Sequence, residues 1–187
     1  SLMDAIENLL SRNSPRELTT PIPSKADMSE VYQAALRAPD HAWLRPSRFI
    51  EVTGKGLDKL SELYADFESM HLKDITPIQL EKYKSAPYRA PMVIVLVTKV
   101  SEHPKVPEVE QMLSTAAAAQ NILLALHAKN YAGIWRTGKL AFNQKMVESF
   151  NLSPEHRIIG YLYVGKPTGT MKTIPSLNLQ NFITHWE

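Results

Sequence analysis

Residues 92–97 read Met-Val-Ile-Val-Leu-Val, and this unbroken apolar run decides the fold class. A strand with one solvent-facing side alternates apolar and polar residues, whereas a strand covered on both faces is apolar throughout. Most of these side chains are β-branched, which favours strands over helices. The run therefore predicts a buried strand with other elements packed on both of its faces.

The longest predicted helix follows this strand, over residues 107–129. Between Ala116 and Leu126 only Gln120 and Asn121 are polar, whereas a surface helix shows a broader polar face. This helix is expected to lie at the centre of an assembly. Two arrangements stay open: it is sandwiched within its own domain, or it is pressed against a second copy of the chain.

Shorter elements complete a single α+β domain over residues 3–187, with helices around a mostly buried sheet of four or five strands. Further helices are predicted at 3–12, 24–36, 57–70, 78–85 and 144–150, and further strands at 48–52, 131–135 and 158–164. The tail after Gly165 has little periodicity and ends in an aromatic cluster, so residues 166–187 are expected to dock on something, with a partner subunit as one candidate. Ser1 and Leu2 are expected to be left over from cloning, with Met3 as the natural start.

The composition excludes several classes of protein. The chain has no cysteine, so it has no disulfide, no thiol nucleophile and no cysteine-ligated metal, which is compatible with the cytoplasm. The net charge of +2 is too small to indicate nucleic acid as a partner. The sequence shows no run of eighteen apolar residues and no secretion signal, so neither a membrane span nor export is expected.

Two short runs place a cation beside a ring at the end of a regular element. They are Arg37-Ala38-Pro39-Asp40-His41 and Gly133-Ile134-Trp135-Arg136-Thr137-Gly138. Arginine offers forked, planar donors for phosphate or carbonyl oxygens, and imidazole and indole add ring surface and an oriented N–H. If the second run is still a strand, Trp135 and Arg136 point to opposite faces. The pattern indicates a flat, polyanionic cofactor.

Each candidate also has a purely structural interpretation. The first run fits an ordinary helix end, and Trp135 fits a core anchor. A third candidate, Arg12-Asn13-Ser14, follows the first helix and fits either a helix end or a binding site, and Arg16 either joins it or stays solvated. The sequence has no Gly-x-Gly-x-x-Gly motif, no phosphate loop and no Gly-x-Ser-x-Gly elbow, so side chains would have to hold any phosphate.

A metal site is the weaker reading of the histidines. His103 lies near Glu108 and Glu110 in the sequence, but two prolines interrupt the segment and no second histidine has helical ligand spacing. No metal is therefore predicted, although a metal-dependent hydrolase around His103 and His41 remains a rival.

The chain resembles the nitroreductase family, and within it the small bacterial YdjA-type subgroup, on motifs that occur in one order. They are Arg12-x-Ser14, Arg37-Ala38-Pro39-Asp40-His41, Lys105-Val106-Pro107, Glu110-Gln111, Gly133 to Gly138, and Gly160-x-Leu162-x-Val164-Gly165-x-Pro167. The resemblance implies a mostly antiparallel sheet and a homodimer with two FMN sites at the interface, each built from both chains and embraced by the tails. It also implies electron transfer from NADH or NADPH to nitroaromatics, quinones or related acceptors, by a ping-pong hydride transfer through flavin N5.

The resemblance assigns cofactor contacts to specific residues, and it assigns a catalytic role to no side chain. Arg12, Asn13 and Ser14 would hold the phosphate and ribityl end or the pyrimidine edge; Arg37 and His41 would contact the cofactor from the end of the second helix; Trp135, Arg136 and Thr137 would form the third segment. Residues 125–130 correspond to a nicotinamide-nucleotide region, and residues 57–90 are expected to shape the acceptor pocket. Asn13 stands where the family commonly has Arg or His, and Thr137 where the subgroup usually has Ser. A flavin-binding protein with little turnover is the other rival, because binding and catalysis use the same residues.

Overall fold

An antiparallel sheet forms the centre of the fold in the computed structural model, which describes residues 3–187. Ser1 and Leu2, and the expectation about their origin, lie outside the described residues. The helices are α1 (Ala5–Ser11), α2 (Lys25–Ala35), α3 (Lys55–His71), α4 (Pro77–Ser85), α5 (Glu108–Ala128) and α6 (Gln144–Ser149). The strands are β1 (Leu18–Thr19), β2 (Ser47–Thr53), β3 (Met92–Lys99), β4 (Ala132–Arg136) and β5 (His156–Pro167). The predicted α+β class is confirmed.

β5 is the central strand of this sheet. Its residue Val164 pairs with Met92 of β3 and also with Gly133 of β4, so β5 lies between these two strands. β2 pairs with β3, which gives the order β4–β5–β3–β2, and the short strand β1 pairs with the end of β5. All of these pairings are antiparallel, as expected. Strand β1, with only two residues, is the element that the sequence pattern misses.

Helices cover both faces of the sheet, as the apolar run in β3 predicts. Val93, Val95 and Val97 belong to one core cluster, together with Leu57, Leu60, Tyr64 and Phe67 of α3 and Met146 and Val147 of α6. The alternate residues Met92, Ile94 and Leu96 belong to a second cluster with side chains of α2 and α5. Every residue from Met92 to Thr98 is buried. The two faces are called the α3 face and the α5 face below.

Local signals set the ends of the helices. The Ser24 side chain accepts from the backbone N–H of Asp27 and so caps the start of α2. Thr76 and Gln79 form a reciprocal capping box at α4. The region after α2 cannot continue as a helix because Pro39 lacks a backbone N–H.

Helix α5 is sandwiched on one side and open on the other. Its inner residues Ala118, Ile122 and Leu126 are fully buried against the sheet and α2, whereas Val109 and Leu113 are exposed. The sequence left open whether α5 packs within its own domain or against a second copy of the chain. The inner side of α5 packs within its own domain. The outer side remains available to another surface. None of the helices in residues 3–187 combines the length and apolar character needed to cross a membrane.

The tail after β5 makes little contact with its own chain. Residues 168–187 are all exposed, and their only regular piece is a single 3₁₀ turn at Leu179–Asn181. One anchor is the Asn13 side-chain amide, which donates to the Lys172 carbonyl at 2.7 Å. The tail nevertheless carries many large apolar side chains: Met171, Ile174, Leu177, Leu179, Phe182, Ile183 and Trp186.

A bulge in β5 seats the Trp135 side chain. The register between β3 and β5 shifts so that Leu96 faces Gly160 while Val97 faces Ile158, which leaves Ile159 without a partner on β3. The Ile159 carbonyl accepts the Trp135 indole N–H at 3.2 Å. The indole lies so close to Gly160 that a Cβ atom there would fall 1.9 Å from its nitrogen.

Gly160→Ala is therefore expected to lower the stability of the fold by about 1–3 kcal/mol through overpacking, in addition to the strain of a positive φ. Gly169→Ala is the control, since Gly169 also has positive φ but no atom within 4 Å of the added Cβ, and it should show only the backbone cost of about 1–2 kcal/mol. Urea unfolding measures both. Equal losses in the two variants would contradict the proposed seat for Trp135.

Candidate functional site

Two of the three predicted segments lie at opposite ends of α5, and the third lies on β4 and directly after it. Near the C-terminal end of α5, the Ser11 hydroxyl lies 2.8 Å from His127 Nε2, which places Arg12 to Ser14 there. Near its N-terminal end, His41 Nδ1 lies 3.0 Å from Glu110 Oε1, which places Arg37 and His41 there. His127 lies 17 residues after Glu110, which corresponds to about 26 Å along a helix that rises about 1.5 Å per residue. A single chain thus keeps the two groups well apart.

The first group surrounds a small cleft of about 280 Å³ between residues 13–17 and 168–172. Arg12 Nη1 donates to Ser14 Oγ at 3.1 Å, so the two side chains that the resemblance assigns to the cofactor are already oriented together. The Asn13 amide bonds the tail instead. Asn13 therefore has a structural partner of its own, and its contact with a cofactor stays a prediction.

His127 is held neutral beside this group. The Ser11 hydroxyl donates to the Glu7 carbonyl at 2.7 Å, so it must accept the hydrogen on His127 Nε2. Burial, followed by the positive charge of Arg12, lowers the pKa of His127 below its ordinary value of 6.5. His127 lies within the predicted nicotinamide region at residues 125–130, where the structure shows the end of α5 and the turn after it; its role there stays a prediction.

Replacing His127 should reduce the acid sensitivity of the fold. Because the pKa is lowered on folding, the neutral form stabilises the native state above about pH 6.5, and this contribution is lost as the pH falls through that value. His127→Gln keeps a donor for Ser11 but cannot titrate, so its urea midpoint should fall less than that of the wild type between about pH 7.5 and about pH 5.5. The exposed His185→Gln serves as control. An identical acid dependence of all three proteins would contradict the expectation.

The second group shows a helix end and two exposed candidates. The Asp40 carboxylate accepts from the backbone N–H groups of Leu44 and Arg45, both at 3.0 Å, so this acid shapes the turn, as the structural interpretation of the run expects. Arg37 and His41 are both exposed. The Glu110 carboxylate accepts from Nδ1 of His41, which leaves Nε2 open to a ligand.

The third segment sends neighbouring side chains to opposite faces of the sheet, as predicted. Trp135 packs against the α5-face core, whereas Arg136 pairs with Tyr161, a residue of the α3-face core. The indole N–H donates to the Ile159 carbonyl and is not free for a ligand. The Trp135 side chain therefore acts as a core anchor, which was the structural interpretation of this residue. Thr137 follows at the surface and is exposed.

Arg136 is the most unusual side chain of the site. Its Nε is buried without a hydrogen-bond partner. Its pKa is lowered by burial first, and also by the positive charges of Arg89 and Arg16. Arg89 lines the same cleft as Arg136, and Arg16 lies near enough for its charge to act on Arg136. None of these three arginines has an ion-pair partner among residues 3–187.

Arg89 is the member of this group that the sequence reasoning misses. It ends the short 3₁₀ helix Ala86–Arg89, directly before the buried strand β3. The available signal is a lone arginine between Pro87 and Pro91 at the entry to a fully apolar strand. The sequence left open whether Arg16 is solvated or joins the Arg12–Ser14 candidate. Its side chain is exposed, but its charge lies close enough to contribute to the lowered pKa of Arg136.

The donor set fits a planar cofactor that carries negative charge. A buried guanidinium nitrogen without a partner is costly unless a ligand satisfies it, and clustered cations favour an anion. By contrast, residues 3–187 contain no group of three or more His, Asp or Glu side chains placed to share a metal ion. Glu108 pairs with Arg157 and Glu110 with His41, so each of these two acids already has a partner other than His103.

Comparison with known proteins agrees with this fold. The profile of the nitroreductase family matches residues 9–166. The chain is 33% identical over 187 residues to an Escherichia coli (strain K12) protein named "Putative NAD(P)H nitroreductase YdjA", covering 98% of this chain and 100% of the relative. Among solved structures, a nitroreductase-like family protein from Bacillus cereus superposes with a TM-score of 0.81 at 20% identity over 100% of this chain and 98% of that one. The NADPH:FMN oxidoreductase from Vibrio harveyi, complexed with NAD+, gives 0.73 at 19% identity over 96% and 76%.

The chain therefore belongs to the nitroreductase family. The full-length similarity to YdjA also supports the expected subgroup.

Proposed function

We propose that this protein is an FMN-dependent oxidoreductase that uses NADH or NADPH to reduce nitroaromatics, quinones or related small acceptors. The observation that carries the proposal is the buried, unpartnered Arg136 Nε within a cluster of unpaired arginines. Family membership and the printed function of the E. coli relative support the nicotinamide donor, and the Vibrio harveyi enzyme, named for NADPH and FMN, supports the cofactor.

The residues of the three segments would bind and tune this cofactor. When bound, FMN would supply the redox chemistry, which is hydride transfer from the nicotinamide through its N5 position and, in alternation, electron transfer to the acceptor. Arg12 and Ser14 offer oriented donors for an anionic end, and Arg136 offers a fixed positive charge where negative charge develops. Trp135 holds Arg136 in place through the sheet. Asn13, Thr137, Arg37 and His41 remain proposed cofactor contacts.

A second copy of the chain would complete the site. The two groups lie about 26 Å apart along α5, so a two-fold pairing across the outer side of α5 would set the second group of one chain beside the first group of the other. Exposed apolar residues of α1, α5 and the tail support such a pairing, since a surface of this kind marks an interface. Residues 3–187 would act as one domain, with tail 166–187 embracing the partner. The cytoplasm, which supplies NAD(P)H, is the proposed compartment.

The visible spectrum and a turnover assay test the proposal. The purified protein should show flavin bands with one FMN per chain and should oxidise NADH or NADPH when menadione or a nitrofuran is added. Bound FMN without oxidation would favour the rival flavin-binding protein. A colourless protein with stoichiometric zinc would favour the metal-dependent hydrolase.

Arg136→Ala should weaken FMN binding. A hydrogen bond to a charged group contributes about 1.5–3 kcal/mol, which corresponds to a rise in the FMN dissociation constant of about tenfold to a hundredfold. Fluorescence quenching of FMN on reconstitution measures it. Lys145→Ala removes a charge from the exposed side of α6 and should leave the constant unchanged. Unaltered FMN affinity in Arg136→Ala would argue against its role.

Leu113→Arg should break the proposed dimer. It places a charge at the exposed apolar side of α5, which an interface would have to bury at high cost. Sedimentation velocity should show monomers, and FMN should be lost with the partner. Ile78→Arg, on the exposed side of α4, is the matched control and should stay dimeric. A wild-type monomer with full FMN occupancy would overturn the two-chain site.

A further inference from the structure

Backbone strain is concentrated in the loop at residues 40–45, which leads from α2 to β2. Of the six non-glycine residues with positive φ in residues 3–187, three lie in this loop: Ala42, Trp43 and Arg45. Such side chains rarely adopt this conformation, because the Cβ atom crowds the following carbonyl oxygen. Strain of this kind persists only where the surrounding structure enforces it, and it clusters at binding sites.

Polar contacts enforce the conformation of this loop. The Asp40 carboxylate accepts two backbone N–H groups of the loop and also pairs with the Arg45 guanidinium at 3.1 Å. The Arg48 guanidinium donates to the Arg45 carbonyl at 2.6 Å. The Ser114 hydroxyl of α5 donates to the Pro39 carbonyl at 2.6 Å. The loop is therefore held both by its own side chains and by α5.

The loop holds a large aromatic ring in the solvent. Trp43 is 77% exposed, and the guanidinium carbon of Arg45 lies 5.2 Å from the centre of its ring. The cation covers one face of the indole, which leaves the other face available to a ligand. A loop that only joined α2 to β2 would gain nothing from this arrangement, because burying the indole would stabilise the fold.

We propose that Trp43 stacks on the isoalloxazine ring of the FMN held by a second copy of the chain. The inference rests on the proposed function, because it adds a ring contact to that two-chain site. Trp43 lies two positions after His41, a proposed cofactor contact. The loop is anchored to α5 next to the exposed Leu113, on the outer side that would face the second copy.

The chemistry of the two rings supports this contact. The indole is rich in electrons and the oxidised flavin ring is poor in them, so an offset stack of the two is favourable. The strained loop fixes the position of Trp43 before the cofactor binds, which lowers the entropy cost of forming the stack. Simple packing between two copies would need an apolar side chain, but it would not need a strained backbone to aim it.

The absorption and fluorescence of bound flavin test the contact directly. An indole stacked on oxidised flavin gives a charge-transfer band at longer wavelength than the flavin bands and quenches flavin fluorescence, so the wild-type holoprotein should show both effects. Trp43→Phe should lose the band and recover fluorescence at equal FMN content. Trp186→Phe is the matched control, since it changes an exposed tryptophan of the tail, and it should match the wild type. A holoprotein without the band, or a band that persists in Trp43→Phe, would overturn the proposal.

Cofactor affinity and oligomeric state separate this contact from simple interface packing. Trp43→Ala should raise the FMN dissociation constant about twofold to tenfold, and Trp43→Phe should raise it less because a phenyl ring still stacks. Sedimentation velocity should show the same dimer for the wild type and Trp43→Phe. Loss of the dimer in Trp43→Phe would assign Trp43 to interface packing and overturn the proposal. NAD(P)H oxidation by a flavin whose spectrum ignores Trp43 would contradict this inference alone, whereas a wild type that binds no FMN would contradict the proposed function as well.

Discussion

The contact between the Trp135 indole and the Gly160 backbone decides which face of the sheet Arg136 reaches. The bulge that leaves Ile159 unpaired frees its carbonyl for the indole N–H, and the absent side chain at Gly160 makes room for the ring. With Trp135 locked on the α5 face, the next residue of β4 must face the other way. Arg136 therefore reaches the α3 face because of a packing event on the opposite side of the sheet.

The arginine cluster lowers the stability of the native state, because its positive charges repel one another. Burial first, and then the positive charges of Arg89 and Arg16, lower the pKa of Arg136, and Arg136 has no ion-pair partner among residues 3–187. Like charges in partly buried surroundings destabilise the native state. The sheet can hold them because both of its faces are closed by large apolar clusters. An anionic ligand would relieve this repulsion, so binding and stability are coupled: the holoprotein should resist unfolding better than the empty chain.

Much of the architecture can be predicted from the sequence because its signals are local. The apolar run of β3, the long apolar face of α5 and the caps at Ser24 and Thr76 each act within a few residues of the chain. The site is harder to predict from the sequence, because its residues come together only after the chain has folded. Arg89 belongs to no motif, yet the sheet carries it to Arg136, 47 positions away by number. Strand β1 is too short for any periodicity.

The tail gives the protein a further property. Residues 168–187 expose seven large apolar side chains while hydrogen bonding little to the rest of the described chain. A freshly made chain with such an uncovered end is a natural target for chaperones and proteases. The lifetime of the chain in the cell should then depend on how soon another surface covers the tail. Chains whose tail stays uncovered should be degraded first, so the amount of protein should follow the amount of covered tail.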